Sequence, residues 1–212
     1  ITDTGVRFRS HLDGSLHFLT PETATASQIN IGADIIMAFD HSVPAAATLS
    51  EAKDATDRTH RWLTRCISQW RNVAGSRVSS QLSQPAIKST GGKTFQAGEN
   101  ADNAQGRNIR KPRKTGDYRW HETRLPADYP ALFGIIQGGN FADLRRSSAE
   151  FVISQNLPGI AIGGASIGTN PTQTAENIHF IRDLLPQNIP LYAMGVGVRP
   201  SDAVAIIKAG AD

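Results

Sequence analysis

The sequence has a single cysteine, Cys66. No internal disulfide can form, and a zinc site of the usual three- or four-cysteine kind is excluded within these residues. Long apolar runs are missing as well. None approaches the ~20 residues needed to span a bilayer, so no membrane segment is expected. The first residues lack the basic, apolar and small-residue order of a secretory leader. With one cysteine, this fits an intracellular, cytoplasmic setting. His11, His17, His60, His121 and His179 show no paired ligand spacing, so no metal site is expected. Gly195-Val196-Gly197 falls short of a full dinucleotide fingerprint. The chain begins at Ile1 without methionine and stops at Asp212 just after a helix-like run; both ends read as cuts in a longer protein.

What is present is enough for one sizeable core: 39% of the 212 residues are apolar. The net charge of +3 conceals an asymmetry. Residues 71–124 hold 11 Lys/Arg against 4 Asp/Glu, while the rest holds 11 against 15. Such a basic block is either a footprint for nucleic acid or a solvated low-complexity insertion. Its Ser, Gly, Gln and Asn content and lack of period favour the insertion. The chain then divides into 1–70, the insertion 71–124, and 125–212, which continues the same domain.

From residue 22 the pattern alternates. A helix is predicted over 22–31 after Thr20-Pro21, with proline suited to the first turn. The apolar run 33–39 has strand length and ends on Asp40. A long helix is predicted over 49–70, opened by Thr48 and Glu51 at capping-box spacing. Ala52, Ala55, Trp62, Leu63, Cys66, Ile67 and Trp70 share one face, which makes Cys66 a core residue and not a nucleophile. Beyond the insertion, strands are predicted over 131–136, 159–162 and 191–194. Helices follow them over 141–155, 172–185 and 200–209. Leu144, Ser148, Phe151 and Val152 mark the inner side of the first of these.

Strand–helix units in series imply an α/β fold with a parallel sheet and right-handed crossovers. A doubly wound sheet and a (β/α)8 TIM barrel both fit, and four units make about half a barrel. In either fold the carboxyl ends of the strands line the site. Those ends carry Asp40, Gln137, Gly163 with Gly164, and Met194 with Gly195. Asp40 offers acceptors, Gln137 an amide donor and acceptor, and the paired glycines bare backbone. Met194 offers a polarizable apolar surface. A planar heterocycle with polar edges suits the set, and a carboxylate facing two N–H groups is the expected reader of a guanine edge. Each residue also has a plainer use, as cap, turn or core, and only their joint placement favours the site. Gly163-Gly164 with Gly195 and Gly197 would alternatively suit a phosphate-binding barrel enzyme. His41, beside Asp40, fits either the pocket or the surface.

Several ordered strings resemble the queuine tRNA-ribosyltransferase, or tRNA-guanine transglycosylase, family. They are Gly5-Val-Arg-Phe-Arg-Ser-His-Leu-Asp-Gly-Ser15, Leu19-Thr-Pro-Glu22, Asp34-Ile-Ile-Met-Ala-Phe-Asp40, Phe133-Gly-Ile-Ile-Gln-Gly-Gly139, Asp143-Leu-Arg-Arg146, Ala161-Ile-Gly-Gly164 and Tyr192-Ala-Met-Gly-Val-Gly197. The resemblance covers nearly all the chain outside 71–124. It implies a (β/α)8 barrel with a zinc-binding subdomain beyond this chain, and a homodimer at full length. Asp40, Gln137, Gly163, Gly164 and Met194 then match base-binding positions. Gly195, Val196, Gly197, Val198, Arg199, Pro200, Ser201 and Asp202 match a segment that contacts tRNA.

The reaction so implied is a double displacement. A carboxylate expels guanine from the wobble position of tRNA, and a 7-deazaguanine base (preQ1 or queuine) displaces the covalent aspartate intermediate. Both catalytic aspartates are expected outside residues 1–212, so the chain alone is expected to be inactive. A non-catalytic, tRNA-binding accessory subunit of the same family remains the alternative. Three departures stand out. Ser42 replaces a frequent cysteine, Ala165-Ser-Ile-Gly-Thr169 replaces the usual Leu-[Ser/Ala]-Val-Gly-Glu, and the 195–202 stretch has one residue more. Ser42 and Ala165 are therefore candidates for base selectivity.

Overall fold

The computed structural model describes residues 1–82, 129–163, 171–196 and 199–212. Two strands precede the alternating pattern. β1 (Val6–Arg9) pairs antiparallel with β2 (Leu16–Leu19), Val6 opposite Leu19 and Arg9 opposite Leu16. Asp13-Gly14 turns the ribbon. Gly14 takes a positive φ of 73°, and the Asp13 carboxylate accepts from the Ser15 amide at 3.1 Å.

Helix α1 (Pro21–Ile31) starts on Thr20, whose hydroxyl accepts from the Thr23 amide at 3.2 Å. It ends on Gly32 in the left-handed region. β3 (Ile35–Met37) is shorter than the predicted 33–39, because its ladder is limited to what β4 pairs with. α2 (Leu49–Leu82) opens with the reciprocal Thr48–Glu51 box. The Thr48 amide donates to Glu51 Oε2 at 2.8 Å, and the Glu51 amide to Thr48 Oγ1 at 3.3 Å. The helix does not stop at Trp70 but runs on to Leu82, into the segment that composition sets apart. Once nucleated, a helix gains one bond per residue added, and no proline intervenes before Leu82. Then come β4 (Ala131–Ile136), α3 (Ala142–Ser154), β5 (Gly159–Ile162), α4 (Pro171–Arg182), β6 (Leu191–Ala193) and α5 (Pro200–Ala209).

β3, β4, β5 and β6 form one parallel sheet in chain order. That order separates the two candidate folds. A doubly wound sheet reverses direction at a switch point and carries helices on both faces. Here every crossover advances one strand the same way, and right-handed crossovers then place the helices on one face. The sheet curls into half a barrel, so the fold is a partial (β/α) barrel.

Side chains alternate across the strands. Ile36, Leu132, Ile136, Ile160, Ile162, Leu191 and Ala193 face outward into a single core. Leu63, Cys66, Ile67 and Trp70 of α2 meet them there, with Ala149 and Val152 of α3, Ile178 and Ile181 of α4, and Ile206 of α5. The α2 stripe is buried as predicted, Cys66 included. On α3 the predicted Ser148 and Val152 are buried, together with Arg145 and Ala149, while the predicted Leu144 and Phe151 are half-buried at the flanks. Arg145 was not expected inside; its guanidinium finds carbonyl acceptors there. On the concave face Phe133 lies across Gly159, where a Cβ would come within 2.1 Å of the ring.

Candidate functional site

The strand register brings the predicted residues together at the carboxyl edge of the sheet. Asp40 follows β3, Gln137 follows β4, Gly163 follows β5 and Met194 follows β6. The Gly163 amide donates to Ile136 O at 3.0 Å and the Met194 amide to Ile162 O at 3.1 Å, so the ladder continues to these residues. Gln137 Nε2 donates directly to Asp40 Oδ2. An ionised carboxylate only accepts, which fixes the orientation of the glutamine amide. Burial pushes the Asp40 carboxyl above its usual range, and the Gln137 bond only partly opposes this.

Gln137 is 1% exposed, and among the described residues its Oε1 has no hydrogen-bond partner. A buried amide oxygen left unpaired costs roughly 1–3 kcal/mol, so the site holds an acceptor ready for a donor. The Gln137 backbone amide is anchored on Ser148 Oγ at 3.0 Å, and Ser148 Oγ lies 3.0 Å from His60 Nε2. The His60 ring stacks on Phe151, and burial lowers its pKa. Gly163 is packed closely against the glutamine: a Cβ there would sit 2.9 Å from Gln137 Nε2 and would push that side chain aside.

On the Asp40 side, Phe39 stacks on Trp62 with 4.7 Å between ring centres. The His41 amide donates to Thr59 Oγ1 at 2.9 Å. Arg58 Nη1 lies 3.0 Å from His41 Nδ1, and arginine only donates, so Nδ1 is the acceptor. Burial first, and then Arg58, lower the His41 pKa. Ser42 lines a cleft of about 330 Å³ between the 41–44 segment and Glu51, Asp54 and Arg58 of α2.

In the 195–202 segment, Gly195 has a φ of 72° and Val196 is half-buried. Arg199, Pro200 and Ser201 are exposed. Asp202 is 7% exposed and turned inward, its carboxylate accepting from the Arg199 amide at 3.2 Å to cap α5. Gly164, Ala165, Gly197 and Val198 lie outside the described residues, as does 83–128.

The residue that motif reading passed over is Arg145. It is 1% exposed, donating from Nε to Gly139 O at 2.7 Å and from Nη1 and Nη2 to Gly163 O at 3.2 and 3.1 Å. Its only sign in the sequence is its place in the Asp143–Arg146 string. A lone arginine on a helix otherwise reads as a solvated side chain.

The fold is that of a partial (β/α) barrel whose strand ends carry Asp40, Gln137, Gly163 and Met194. The queuine tRNA-ribosyltransferase family model matches residues 1–94 and 106–212, and the chain belongs to this family. The match extends into both ends of the 71–124 segment and leaves out only 95–105. The chain is similar to proteins named queuine tRNA-ribosyltransferase from several bacteria. Identity is 38% with that of Herpetosiphon aurantiacus, over all of this chain and 40% of the relative. It is 36% with that of Symbiobacterium thermophilum, over all of this chain and 39% of the relative. It is also 36% with that of a Cyanothece species, over all of this chain and 41% of the relative. The chain thus spans about 40% of the length of the curated relatives it matches.

Proposed function

We propose that this chain is the base-recognition part of a tRNA-guanine transglycosylase, which exchanges guanine in tRNA for a 7-deazaguanine base. The observation that carries the reading is the Asp40–Gln137 pair, with a carboxylate and an unpartnered amide oxygen at adjacent strand ends. A guanine edge presents N1–H and N2–H donors, and the pair presents acceptors. Met194 at the fourth strand end supplies an apolar contact for the ring. Gly163 leaves room for a flat ligand beside the glutamine amide.

In this reading the pocket holds and orients the base while carboxylates elsewhere in the full-length protein act on the ribose. One aspartate displaces guanine at C1′ and forms the covalent tRNA intermediate, and a second moves the protons. The incoming base then takes guanine's place against Asp40 and Gln137 and displaces the aspartate. Ser42 and Ala165 are the positions at which the choice of incoming base is proposed to be made. The segment Gly195 to Asp202 is proposed to meet tRNA, with the exposed Arg199 and Ser201 reaching its backbone. Asp202 is assigned the indirect role of holding that segment through its cap. The family's zinc finds no fit here. Among the described residues no three His, Cys, Asp or Glu side chains converge, and no step is routed through the ion.

The test is exchange of labelled guanine into tRNA by the full-length protein that carries this chain. Asp40→Ala is expected to abolish exchange while the protein stays folded. Undiminished exchange by that variant would remove the assigned role. A wild-type protein that binds tRNA but exchanges no guanine would favour the accessory-subunit reading.

A further inference from the structure

Arg145 is a cation enclosed in the fold, and among the described residues its guanidinium makes three hydrogen bonds, all to main-chain carbonyls. Burial alone pushes its pKa down to about 10. An apolar residue of similar volume would fill this place without the desolvation cost of a charge. What the arginine adds is geometry. A planar fork with fixed donors sets the distance between the groups it bonds, which a point charge such as lysine does not.

The groups it bonds belong to two different strand ends. Gly139 closes the turn after Gln137, and Gly163 is the last described residue after β5. The turn lets the backbone and stem of Arg145 come close. Gly138 has a φ of 129°, and a Cβ there would lie 2.6 Å from the Arg145 amide nitrogen and 2.8 Å from its Cγ. Gly163 in turn lies against the Gln137 amide. A displacement of Gly163 away from Arg145 therefore reaches Gln137 Nε2, and through it Asp40 Oδ2.

We propose that Arg145 is the positioning residue of the base pocket: by clamping the Gly139 and Gly163 carbonyls it sets the spacing of the β4 and β5 ends, and with it the alignment of Gln137 against Asp40. The inference rests on the base-binding reading given above. It differs from that reading in placing the determinant of base affinity behind the pocket, on a residue that touches no ligand.

The experiment uses Arg145→Lys in the full-length protein. Lysine keeps the charge but offers its donors from a single nitrogen, so it cannot hold both carbonyls in the same plane. The expected result is a guanine KM raised about tenfold, the scale of one lost hydrogen bond. The KM for tRNA and the melting temperature are expected to stay close to wild type. A residue that merely supports the fold would move all of these together, or none. A folded Arg145→Lys protein with wild-type guanine KM overturns the proposal. Should that variant not fold, the wild-type protein decides: the Arg145 15Nε resonance is expected to shift when guanine saturates the site, and an unmoved resonance overturns the proposal. Absence of guanine exchange by the wild-type protein overturns the base-exchange function itself, and this inference with it. Wild-type exchange with an indifferent Arg145 overturns only the positioning role.

Discussion

Asp40 is a carboxyl that its own surroundings discourage from ionising. Its folded pKa lies above the unfolded value because burial disfavours the charge. The protonated form therefore stabilises the fold at low pH, and that contribution is lost as pH rises from 3.8 through the raised value. Above it the charge is a standing cost, relieved when N–H donors arrive. Guanine binding is accordingly expected to weaken on acidification already at the raised pKa, since a protonated Asp40 opposes a donor to a donor. Calorimetric titration of the full-length protein over a pH series checks this. Constant affinity down to the ordinary carboxylate range would contradict it. At this scale the sequence was most informative where chemistry sits at a strand end. The strand-end placement of Asp40, Gln137 and Gly163 was legible because a strand boundary and a polar or glycine residue coincide there, and that of Met194 because Gly195 follows it. Arg145 was not, because its partners are carbonyls, and carbonyls leave no mark in the side-chain code.

Among the elements, α2 and β4 hold the site in place. Trp62 Nε1 donates to Asp3 O at 2.7 Å and Trp70 Nε1 to Pro130 O at 2.9 Å, so α2 ties the chain's first residues and the entry to β4 to one rod. Arg65 adds a two-pronged bond to Glu22 of α1, at 2.6 and 2.7 Å. β4 and β5 meet through the Phe133 ring over Gly159. Gly159→Ala is expected to destabilise the protein by about 1–3 kcal/mol, the usual range for overpacking a core. Urea denaturation measures it, and pairing the change with Phe133→Leu is expected to recover part of the loss. A neutral single variant would mean that the ring can move aside. The α2 stripe was readable because seven apolar residues keep helical spacing. The β1–β2 ribbon was not, since Phe8, Leu16 and Phe18 are exposed and no buried face dictates its period.

For the whole molecule, the singly wound strand order distinguishes half a barrel from an open doubly wound sheet. Periodicity could not make that choice, because both folds share the same strand–helix units and differ only in which strand comes next. Acid is expected to act on the molecule in two stages. Burial lowers the pKa of His60 and His41, so the unfolded chain takes up protons first as pH falls through 6.5, and stability declines. Glu22 is held down to about 2 by Arg65, so its contribution, full above 4.5, is lost as pH falls toward that value. The pair is partly exposed and its share is modest. Asp40 works in the opposite direction. Melting temperature against pH is expected to start falling in the histidine range; a flat profile there would count against a neutral, half-buried His60.

The register also orders the assembly of the fold in time. β4 and β5 join residues such as Phe133 and Gly159, whereas β3 and β4 join Ile35 and Ala131 across a far longer stretch. Closing the longer loop costs about 1 kcal/mol more in chain entropy by the logarithmic rule. β3 is therefore expected to dock last, with its amides the latest to gain protection in pulsed hydrogen exchange during refolding. Asp40 arrives with β3, and an intermediate that has already paired β4, β5 and β6 would carry Gln137 and Gly163 yet lack the carboxylate that the proposed base contact requires.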